Sequence, residues 1–351
     1  MIAKSLFYPE IGRASCKLDG KRPVATIYRN ICTMIASPSE HAESFLCFLV
    51  CTYHREDLLE RCLRSIAEQT SVEIGDCEVV VSDNSDQGTA ADTVERLRSV
   101  MPIRIRYVQA HPANIAVARN RGLEAAKAQF VAMIDDDMTV EKDWLVNARR
   151  VLADYGCDVF SGPVIPIYER PELRSVGSDS FFHREIETSQ PIPLRIMGEA
   201  RTRKYTPATS NSIFRKGTCF TDAQVFDERY GKSGGEDVDL FCRLEARGLK
   251  FLWAPALRTH ELVPARRCEF SYLQKRSFVG GQIYASTYIR NSAYPTLANL
   301  KILFISWAQL VFIWPFFLIS QLVSNSYSDK LRLKIAAVLG KKSWQHMLAL
   351  Y

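Results

Sequence analysis

Three adjacent acidic residues follow a short apolar segment near the middle of the chain. Asp135, Asp136 and Asp137 come directly after Phe130–Ile134, which has the composition of a buried strand. Three neighbouring carboxylates repel one another, so a cation or a solvated loop has to compensate their charge. Acids at the first and third positions place two oxygens on one side, which suits a hard divalent ion that also binds phosphates. The alternative is a solvated acidic loop that opens a helix, where carboxylates favour the positive N-terminal end.

Further polar segments stand where strands end or helices begin. They are Thr52–Arg55, Ser82–Ser85, Asn114–Gly122, Gly234–Asp239 and, further along, His260. Backbone N–H groups at helix starts, together with carboxylates, can hold a nucleotide. Each segment alone also has a structural explanation, because Asp83 suits a turn and Glu236 and Asp237 suit the first turn of a helix. Their combination and order favour a nucleotide-binding site.

The residues between these polar segments predict alternating strands and helices. Continuous apolar runs predict strands at Phe45–Cys51, Cys77–Ser82, Ile103–Val108 and Phe130–Ile134, and helical spacing predicts helices at Glu56–Gln69, Asn114–Lys127, Trp144–Tyr155 and Glu236–Gly248. This alternation predicts an α/β fold with a mostly parallel sheet and helices on both of its faces. Such sheets bind ligands at the carboxyl ends of their strands. Residues 163–207 lack a sustained period and predict a long, partly irregular insertion.

A competing interpretation concerns the string MIDDDMT, which begins at Met133. It fits the strand-plus-D-x-D-x-T pattern of haloacid-dehalogenase-type phosphatases. Those enzymes usually carry the motif on their first strand, with a lysine and an acidic pair further along. Here two βα units precede the motif and no clear Gly-Asp motif follows it, so its position disfavours a phosphatase.

Over about residues 45–262 the sequence resembles the family-two glycosyltransferases of the GT-A (Rossmann-like) fold. Within that family it is most similar to bacterial exopolysaccharide glucosyltransferases of the succinoglycan type, through the motifs CTYHRED, VSDNS and ARNRG. The resemblance implies that Thr52 and Arg55 form the first nucleotide-binding turn and that Asp83 binds the uracil or ribose. It also implies that Arg119 lies near the diphosphate and that Asp135 contributes to the nucleotide site.

The same resemblance implies a metal site and a catalytic pair. Asp135 and Asp137 match the outer acids of the family's D-x-D motif, and His260 matches a histidine that completes the metal shell. Asp237 matches the catalytic base of the Glu-Asp motif, with Glu236 as its neighbour at the acceptor. The expected cofactor is Mn²⁺ or Mg²⁺, since the ligands are oxygens plus one imidazole.

The activity implied is an inverting, metal-dependent transfer of a single sugar, with glucose as the default, from a UDP-sugar to a lipid-linked saccharide. The Gln-x-x-Arg-Trp motif of processive members is absent, which favours addition of one sugar over polymerisation. The expected acceptor is a polyprenyl-linked saccharide in the synthesis of exopolysaccharide or another cell-surface glycan. The alternative from another class is a catalytically silent GT-A module that acts as a scaffold in a polysaccharide assembly complex.

Composition and charge limit the remaining function classes. The chain has 351 residues, of which 47% are apolar and 24% charged, and this excludes a disordered or fibrous protein. The net charge of +6 arises from the C-terminal part, where residues 266–351 contain eleven basic and two acidic side chains. Within this part, Arg266, Arg267 and Arg276 either neutralise phosphates or face water. The ten cysteines form no C-x-x-C pair and are typical of a reducing cytosol.

An apolar segment inside the basic region predicts contact with a membrane. No charged residue occurs between Lys301 and Asp329, a stretch long enough to span a bilayer. Basic residues flank it on both sides, so we expect a lipid surface and no nucleic acid as the partner. Because a single crossing would place the basic tail outside, and because Pro315 interrupts the segment, we expect both ends on the cytoplasmic face of the bacterial inner membrane.

The predicted domain organisation has five parts. They are an N-terminal extension of uncertain role at 1–43, a GT-A domain at 44–265, a basic helical region at 266–296, an apolar membrane segment at 297–323 and a basic tail at 324–351.

Overall fold

The computed structural model describes most of the chain after the first 43 residues. The described residues are 44–70, 74–197, 201–202, 205–231, 233–323 and 325–349. The predicted N-terminal extension at 1–43 therefore lies outside the described residues.

Eleven strands among the described residues form two sheets. They are β1 (Ser44–Thr52), β2 (Cys77–Asp83), β3 (Arg104–Gln109), β4 (Ala128–Asp135), β5 (Met138–Val140), β6 (Val159–Ser161), β7 (Val164–Tyr168), β8 (Ile192–Leu194), β9 (Ser212–Arg215), β10 (Phe251–Trp253) and β11 (Thr259–Val263). The larger sheet has the order β3-β2-β1-β4-β9-β6-β10-β8, and the smaller sheet has the order β5-β11-β7. The half from β3 to β4 is parallel, whereas β9 runs antiparallel to both of its neighbours.

Helices cover the sheet and form the C-terminal part of the chain. They are α1 (Glu56–Ala67), α2 (Ala91–Arg98), α3 (Ile115–Ala125), α4 (Trp144–Asp154), α5 (Val176–Phe182), α6 (Lys216–Cys219), α7 (Glu236–Ala246), α8 (Ala265–Cys268), α9 (Phe270–Arg290), α10 (Pro295–Val323) and α11 (Asn325–Lys342). Short 3₁₀ turns occur at Ile74–Asp76, Pro171–Leu173 and Glu228–Tyr230. The region predicted to be irregular thus contains β7, α5 and β8.

Side chains alternate between the two faces of β1, and each face has its own core. Phe48 packs with Leu63 of α1 and Trp144 of α4 on one face of the sheet. Leu49 packs with residues of α3 and α7 on the other face. A Cβ at Gly122 of α3 would collide with the side chain of Leu49, so this glycine allows α3 to approach the sheet closely. The predicted arrangement of helices on both faces is confirmed.

The strand register brings the polar segments together. Cys51 of β1 lies beside Asp135 of β4, and Thr52 lies beside Asp83 of β2. Three parallel strands therefore end at one edge of the sheet, where α1 and α3 also begin. This edge carries the candidate site.

The three long C-terminal helices pack against one another. Helix α10 runs away from the end of α9, and α11 returns beside α10, because Arg332 contacts Gln321 and Lys341 contacts Gln309 at 3.2 Å. Within the described chain, one helix is long and apolar enough to cross a membrane, over Pro295–Gln321 with a mean hydropathy of 2.2. Most of this helix is exposed, and it continues through Pro315.

Candidate active site

A cavity of about 1460 Å³ opens at the carboxyl ends of β1 and β4. Its wall includes most of the side chains that sequence analysis selected. They are Thr52, Arg55, Arg119, Asp135, Asp137, Glu236 and Asp237. The structure therefore brings together residues that lie up to 185 positions apart in the sequence.

Asp136, the middle acid of the triplet, has no predicted role, but it holds the acidic loop in place. The Thr52 hydroxyl donates a hydrogen bond to Asp136 at 2.9 Å, and the Arg55 guanidinium donates another at 3.1 Å. Burial raises the pKa of Asp136 to about 7, although the positive charge of Arg55 opposes this shift. Thr52 and Arg55 thus line the cavity and also hold the acidic loop in place.

Asp137 is buried at the centre of an ion-pair network. One of its carboxylate oxygens accepts hydrogen bonds from Arg267 at 3.2 Å and from Arg55 at 3.4 Å. Arg267 also donates to Glu261 at 3.3 Å. Burial, together with the nearby charge of Asp137, raises the pKa of Glu261 to about 7. Sequence analysis left Arg267 undecided and missed Glu261, and both line the cavity.

Asp135 differs from the other two acids of the triplet because no side chain in the described part of the protein holds its carboxylate. Among the described residues it accepts no hydrogen bond, and burial followed by the charge of Asp137 raises its pKa. No group of three His, Cys, Asp or Glu side chains in the described chain forms a closed metal site. Asp135 and the remaining oxygen of Asp137 nevertheless fit a hard divalent cation, because Mg²⁺-type ions take one or two carboxylates and complete their shell with phosphates and water.

Two residues that were predicted to bind the nucleotide or the metal do not line the cavity. His260 lies outside the cavity wall, and its Nε2 is 3.1 Å from a carboxylate oxygen of Glu141. Successive side chains of β11 point to opposite faces of the sheet, and the neighbouring Glu261 is the one that points into the cavity. Asp83 is fully buried behind the wall, where its carboxylate accepts hydrogen bonds from the backbone of Ser85 and Ala90 at 2.9 Å.

The neighbour of Asp83 takes its place in the cavity wall. Asn84 lines the cavity, while its side-chain oxygen accepts a hydrogen bond from the backbone of Asn114 at 2.7 Å. Asn114 in turn caps the start of α3. The turn after β2 therefore orients α3, and with it Arg119.

Arg119 of α3 connects this helix to the start of α7. Its guanidinium donates to Glu236 at 2.5 Å and to Asp237 at 2.7 Å, at the start of α7. The other oxygen of Asp237 accepts a hydrogen bond from the backbone N–H of Thr209 at 3.2 Å. The Asp237 side chain remains 21% exposed toward the cavity. The resemblance predicts this arginine near a diphosphate, and in the structure it pairs with the two carboxylates.

The two carboxylates have opposite pKa shifts. Burial, with the adjacent charge of Asp237, raises the pKa of Glu236 to about 8. Burial also opposes ionisation of Asp237, but the positive charge of Arg119 outweighs it and holds the pKa of Asp237 below its ordinary value. At neutral pH the pair therefore carries one proton, on Glu236, and Asp237 is an ionised proton acceptor.

The comparisons with known proteins agree with this geometry. The model of the family described as Glycosyl transferase family 2 matches residues 47–218. The succinoglycan biosynthesis protein ExoM of Rhizobium meliloti (strain 1021) is 34% identical over 235 residues, which cover 67% of this chain and 72% of that protein. The chain belongs to glycosyltransferase family 2. The phosphatase interpretation of the acidic triplet is therefore wrong.

Other relatives of this glycosyltransferase are more distant. The validoxylamine A glucosyltransferase of Streptomyces hygroscopicus subsp. jinggangensis (strain 5008) is 26% identical, over 62% of this chain and 57% of that protein. Among solved structures, the mannosyltransferase PcManGT from Pyrobaculum calidifontis, in complex with GDP-Man and Mn²⁺, has a TM-score of 0.56 at 17% identity. That match covers 89% of this chain and 90% of PcManGT.

A second solved structure has the same fold. It is S. aureus TarS 1-349 in complex with UDP-GlcNAc, with a TM-score of 0.50 at 18% identity, and the match covers 73% of this chain and 69% of TarS 1-349. At this low identity the two structures show the fold alone, and they confirm the predicted GT-A fold. The protein is a nucleotide-sugar-dependent glycosyltransferase.

Proposed function

We propose that this glycosyltransferase transfers a single sugar, with inversion, from a UDP-sugar to a lipid-linked saccharide during exopolysaccharide synthesis. The observation that carries the proposal is that one cavity is lined both by the Asp135 carboxylate, which accepts no hydrogen bond among the described residues, and by the partly exposed Asp237 carboxylate. An inverting transfer requires both functions, because the departing diphosphate and the attacking hydroxyl lie on opposite sides of the sugar.

Asp237 is the proposed catalytic base. It takes the proton from the acceptor hydroxyl as that oxygen attacks the anomeric carbon, and the bond from this carbon to the UDP oxygen breaks. Arg119 and the backbone N–H of Thr209 hold the carboxylate in position before the proton arrives. Glu236 remains protonated at neutral pH and adds no second negative charge beside the base.

Asp135 and Asp137 are the proposed ligands of a divalent cation, Mn²⁺ or Mg²⁺. When bound, the cation supplies positive charge to the departing diphosphate. Arg55 and Arg267 keep the acidic loop folded and compensate part of its charge. The presence of Mn²⁺ in the PcManGT complex supports this assignment.

The relatives support the proposed donor and acceptor. The TarS complex contains UDP-GlcNAc, and the validoxylamine A enzyme is a glucosyltransferase, which support a UDP-sugar with glucose as the first candidate. The similarity to a succinoglycan biosynthesis protein supports a saccharide acceptor in exopolysaccharide synthesis. The apolar surface of α10 supports attachment of that acceptor to a polyprenyl lipid.

The test is release of UDP by the purified full-length protein from a panel of nucleotide sugars, with Mn²⁺ or with EDTA. We expect turnover of a UDP-hexose that requires the metal, and proton NMR of the product should show an inverted anomeric configuration. Absence of turnover with every donor would support the silent scaffold instead. Equal turnover in EDTA and in Mn²⁺ would refute the proposed metal ligands but not the proposed sugar transfer.

Helix α10 is the proposed site of membrane contact. Its exposed side chains are mostly large and apolar, namely Leu297, Leu300, Phe304, Trp307, Val311, Phe312, Trp314, Leu318 and Ile319. Since the charged helix α11 lies beside α10, a crossing by α10 would draw lysines into the bilayer core, which is costly. We therefore propose that α10 inserts along the membrane surface, with both flanks on the cytoplasmic face of the bacterial inner membrane.

Vesicle binding tests this membrane proposal. We expect binding to vesicles of phosphatidylcholine with phosphatidylglycerol, because basic residues border the apolar helix. The double variant Phe304→Gln, Val311→Gln should lose this binding, whereas Val100→Gln, an exposed apolar position at the end of α2, should keep it. Labelling from outside the cell of a cysteine placed after Lys342 would refute the proposed topology.

A further inference from the structure

The cavity extends beyond Asp237 onto α9. Gly235 precedes the first residue of α7 with φ = +108°, and a Cβ at this position would lie 2.9 Å from Ile283 of α9. The start of α7 therefore lies directly against α9. From Ile283 the cavity wall continues along α9 with Tyr284, Thr287 and Tyr288.

Two exposed aromatic rings lie on this wall. Tyr284 and Tyr288 are one helical turn apart, with ring centroids 6.1 Å apart and ring planes 11° apart. They are 45% and 38% exposed, although large aromatic side chains normally bury most of their surface. The ammonium group of Lys341 in α11 lies 5.3 Å from the Tyr284 ring centroid, within cation–π distance. The two rings form the tyrosine strip, an apolar surface on the cavity wall.

Two buried polar atoms of the same wall have no partner among the described residues. They are the second carboxylate oxygen of Glu236 and the hydroxyl oxygen of Thr287. A buried polar atom without a hydrogen bond lowers the stability of the fold by about 1–3 kcal/mol. Such atoms are therefore usually hydrogen-bonded to a ligand or an ordered water molecule. They belong to α7 and α9, the two helices that meet at Gly235.

We propose that Tyr284, Thr287 and Tyr288 form the binding site for the acceptor saccharide. A sugar ring has apolar C–H faces and hydroxyl groups at its edge. The faces fit the tyrosine strip, and the hydroxyls fit the unpaired oxygens of Thr287 and Glu236. A saccharide held here presents a hydroxyl to Asp237. The inference rests on the proposed function, since it assigns the acceptor side of the same cavity.

The position of these residues favours the acceptor over the donor. The donor diphosphate belongs at Asp135 and Asp137, at the ends of β4, and the base has to stand between donor and acceptor. Ile283 of α9 contacts the start of α7, the helix that carries Asp237. Tyr284, the first residue of the tyrosine strip, follows Ile283 in the sequence. The cavity wall then continues to Ile302 and Ile305 of α10, the helix proposed to contact lipid. A lipid-linked acceptor would reach the site from that side.

Substitutions of the two tyrosines test the proposal. Saturation-transfer NMR of the full-length protein would measure binding of methyl β-glucoside, methyl β-galactoside and methyl β-cellobioside, which have a sugar but no lipid. We expect saturable binding of at least one probe, with the strongest transfer to its ring C–H protons. Tyr284→Leu and Tyr288→Leu should each weaken it about tenfold, equivalent to about 1.4 kcal/mol.

Matched variants separate stacking from folding. Tyr284→Phe and Tyr288→Phe retain the ring and should bind the probes as the wild type does. Tyr294→Leu changes an exposed tyrosine outside the cavity wall and should also have no effect. Calorimetric affinity for UDP, which binds at the opposite end of the cavity in this proposal, checks that each variant is folded.

Different measurements would refute the saccharide site and the proposed sugar transfer. The inference is overturned if the wild type binds none of the three probes, or if the leucine variants bind them as the wild type does. Probe binding that depends on the tyrosines, without turnover of any nucleotide sugar, would support the saccharide site and contradict the proposed transfer.

Discussion

The substitution Asp237→Asn separates proton transfer from the other functions of the site. In the wild type, Arg119 carries one positive charge, Asp237 one negative charge and Glu236 a proton, so this group is neutral at pH 7. In the variant, Glu236 loses the neighbouring charge that helps to raise its pKa, and it can ionise beside Arg119. The group then remains neutral, and we expect the variant to fold and to bind UDP with wild-type affinity.

The loss should therefore appear in turnover alone. General base catalysis by a positioned side chain contributes about 10²–10⁴-fold, which corresponds to about 3–5 kcal/mol of barrier. We expect kcat for sugar transfer to fall by this factor, measured as UDP release, while calorimetric UDP affinity changes less than about threefold. Asp239→Asn is the matched control, because Asp239 lies on the same helix but pairs with Arg243. Transfer by Asp237→Asn at a rate near that of the wild type would show that Asp237 is not the base.

Four further outcomes are expected. Asp135→Asn should abolish the increase in UDP affinity that Mn²⁺ produces in calorimetry, and an unchanged increase would exclude Asp135 as a ligand. His260→Ala should leave that increase intact, because His260 lies outside the cavity; a loss of 10–100-fold, as expected for a ligand or its partner, would contradict its placement here. In the wild type, transfer should decline as the pH rises through about 8, where Glu236 ionises and adds a negative charge beside the base, and Glu236→Gln should remove this decline from the pH profile. Gly122→Ala should destabilise the fold by about 1–3 kcal/mol in urea unfolding, because its Cβ would collide with Leu49, and an unchanged midpoint would show that the helix can shift.

Much of the site follows from the sequence because parallel strands end at one edge of a sheet. The apolar runs before Thr52 and Asp135 predict strands of one mostly parallel sheet, and the residues that follow such strands lie at the same edge. Their direct pairing is seen only in the structure. Asp237 follows from a different signal, two glycines and two acids that open a helix. The pairing of Arg119 with Asp237 joins residues 118 positions apart and has no local signal.

The predicted and observed positions of His260 and Asp83 differ because the sequence does not show the direction in which these side chains point. In β11, His260 and Glu261 are both polar, so the alternation of apolar residues does not show which of them points inward. The packing of Arg267 against Asp137 and Glu261 decides it. The resemblance predicts Asp83 in the nucleotide site, but the turn after β2 folds back over its carboxylate, which accepts hydrogen bonds from the backbone of Ser85 and Ala90. The segment 163–207 was predicted to be irregular because β7 forms through pairing with the distant β11.

The position of α10 has a practical consequence for protein engineering. A usual way to obtain a soluble form of a membrane-attached enzyme is to delete its apolar segment. In this protein Ile302 and Ile305 of that segment also close one side of the cavity, and Trp344 beyond it donates a hydrogen bond to Asn299 at 3.1 Å. A form that ends before Pro295 would keep Asp135 and Asp237 but would leave the cavity open on the side of the proposed acceptor site. Crystallisation and inhibitor screening therefore require the complete C-terminal helices, with polar substitutions confined to the outward face of α10.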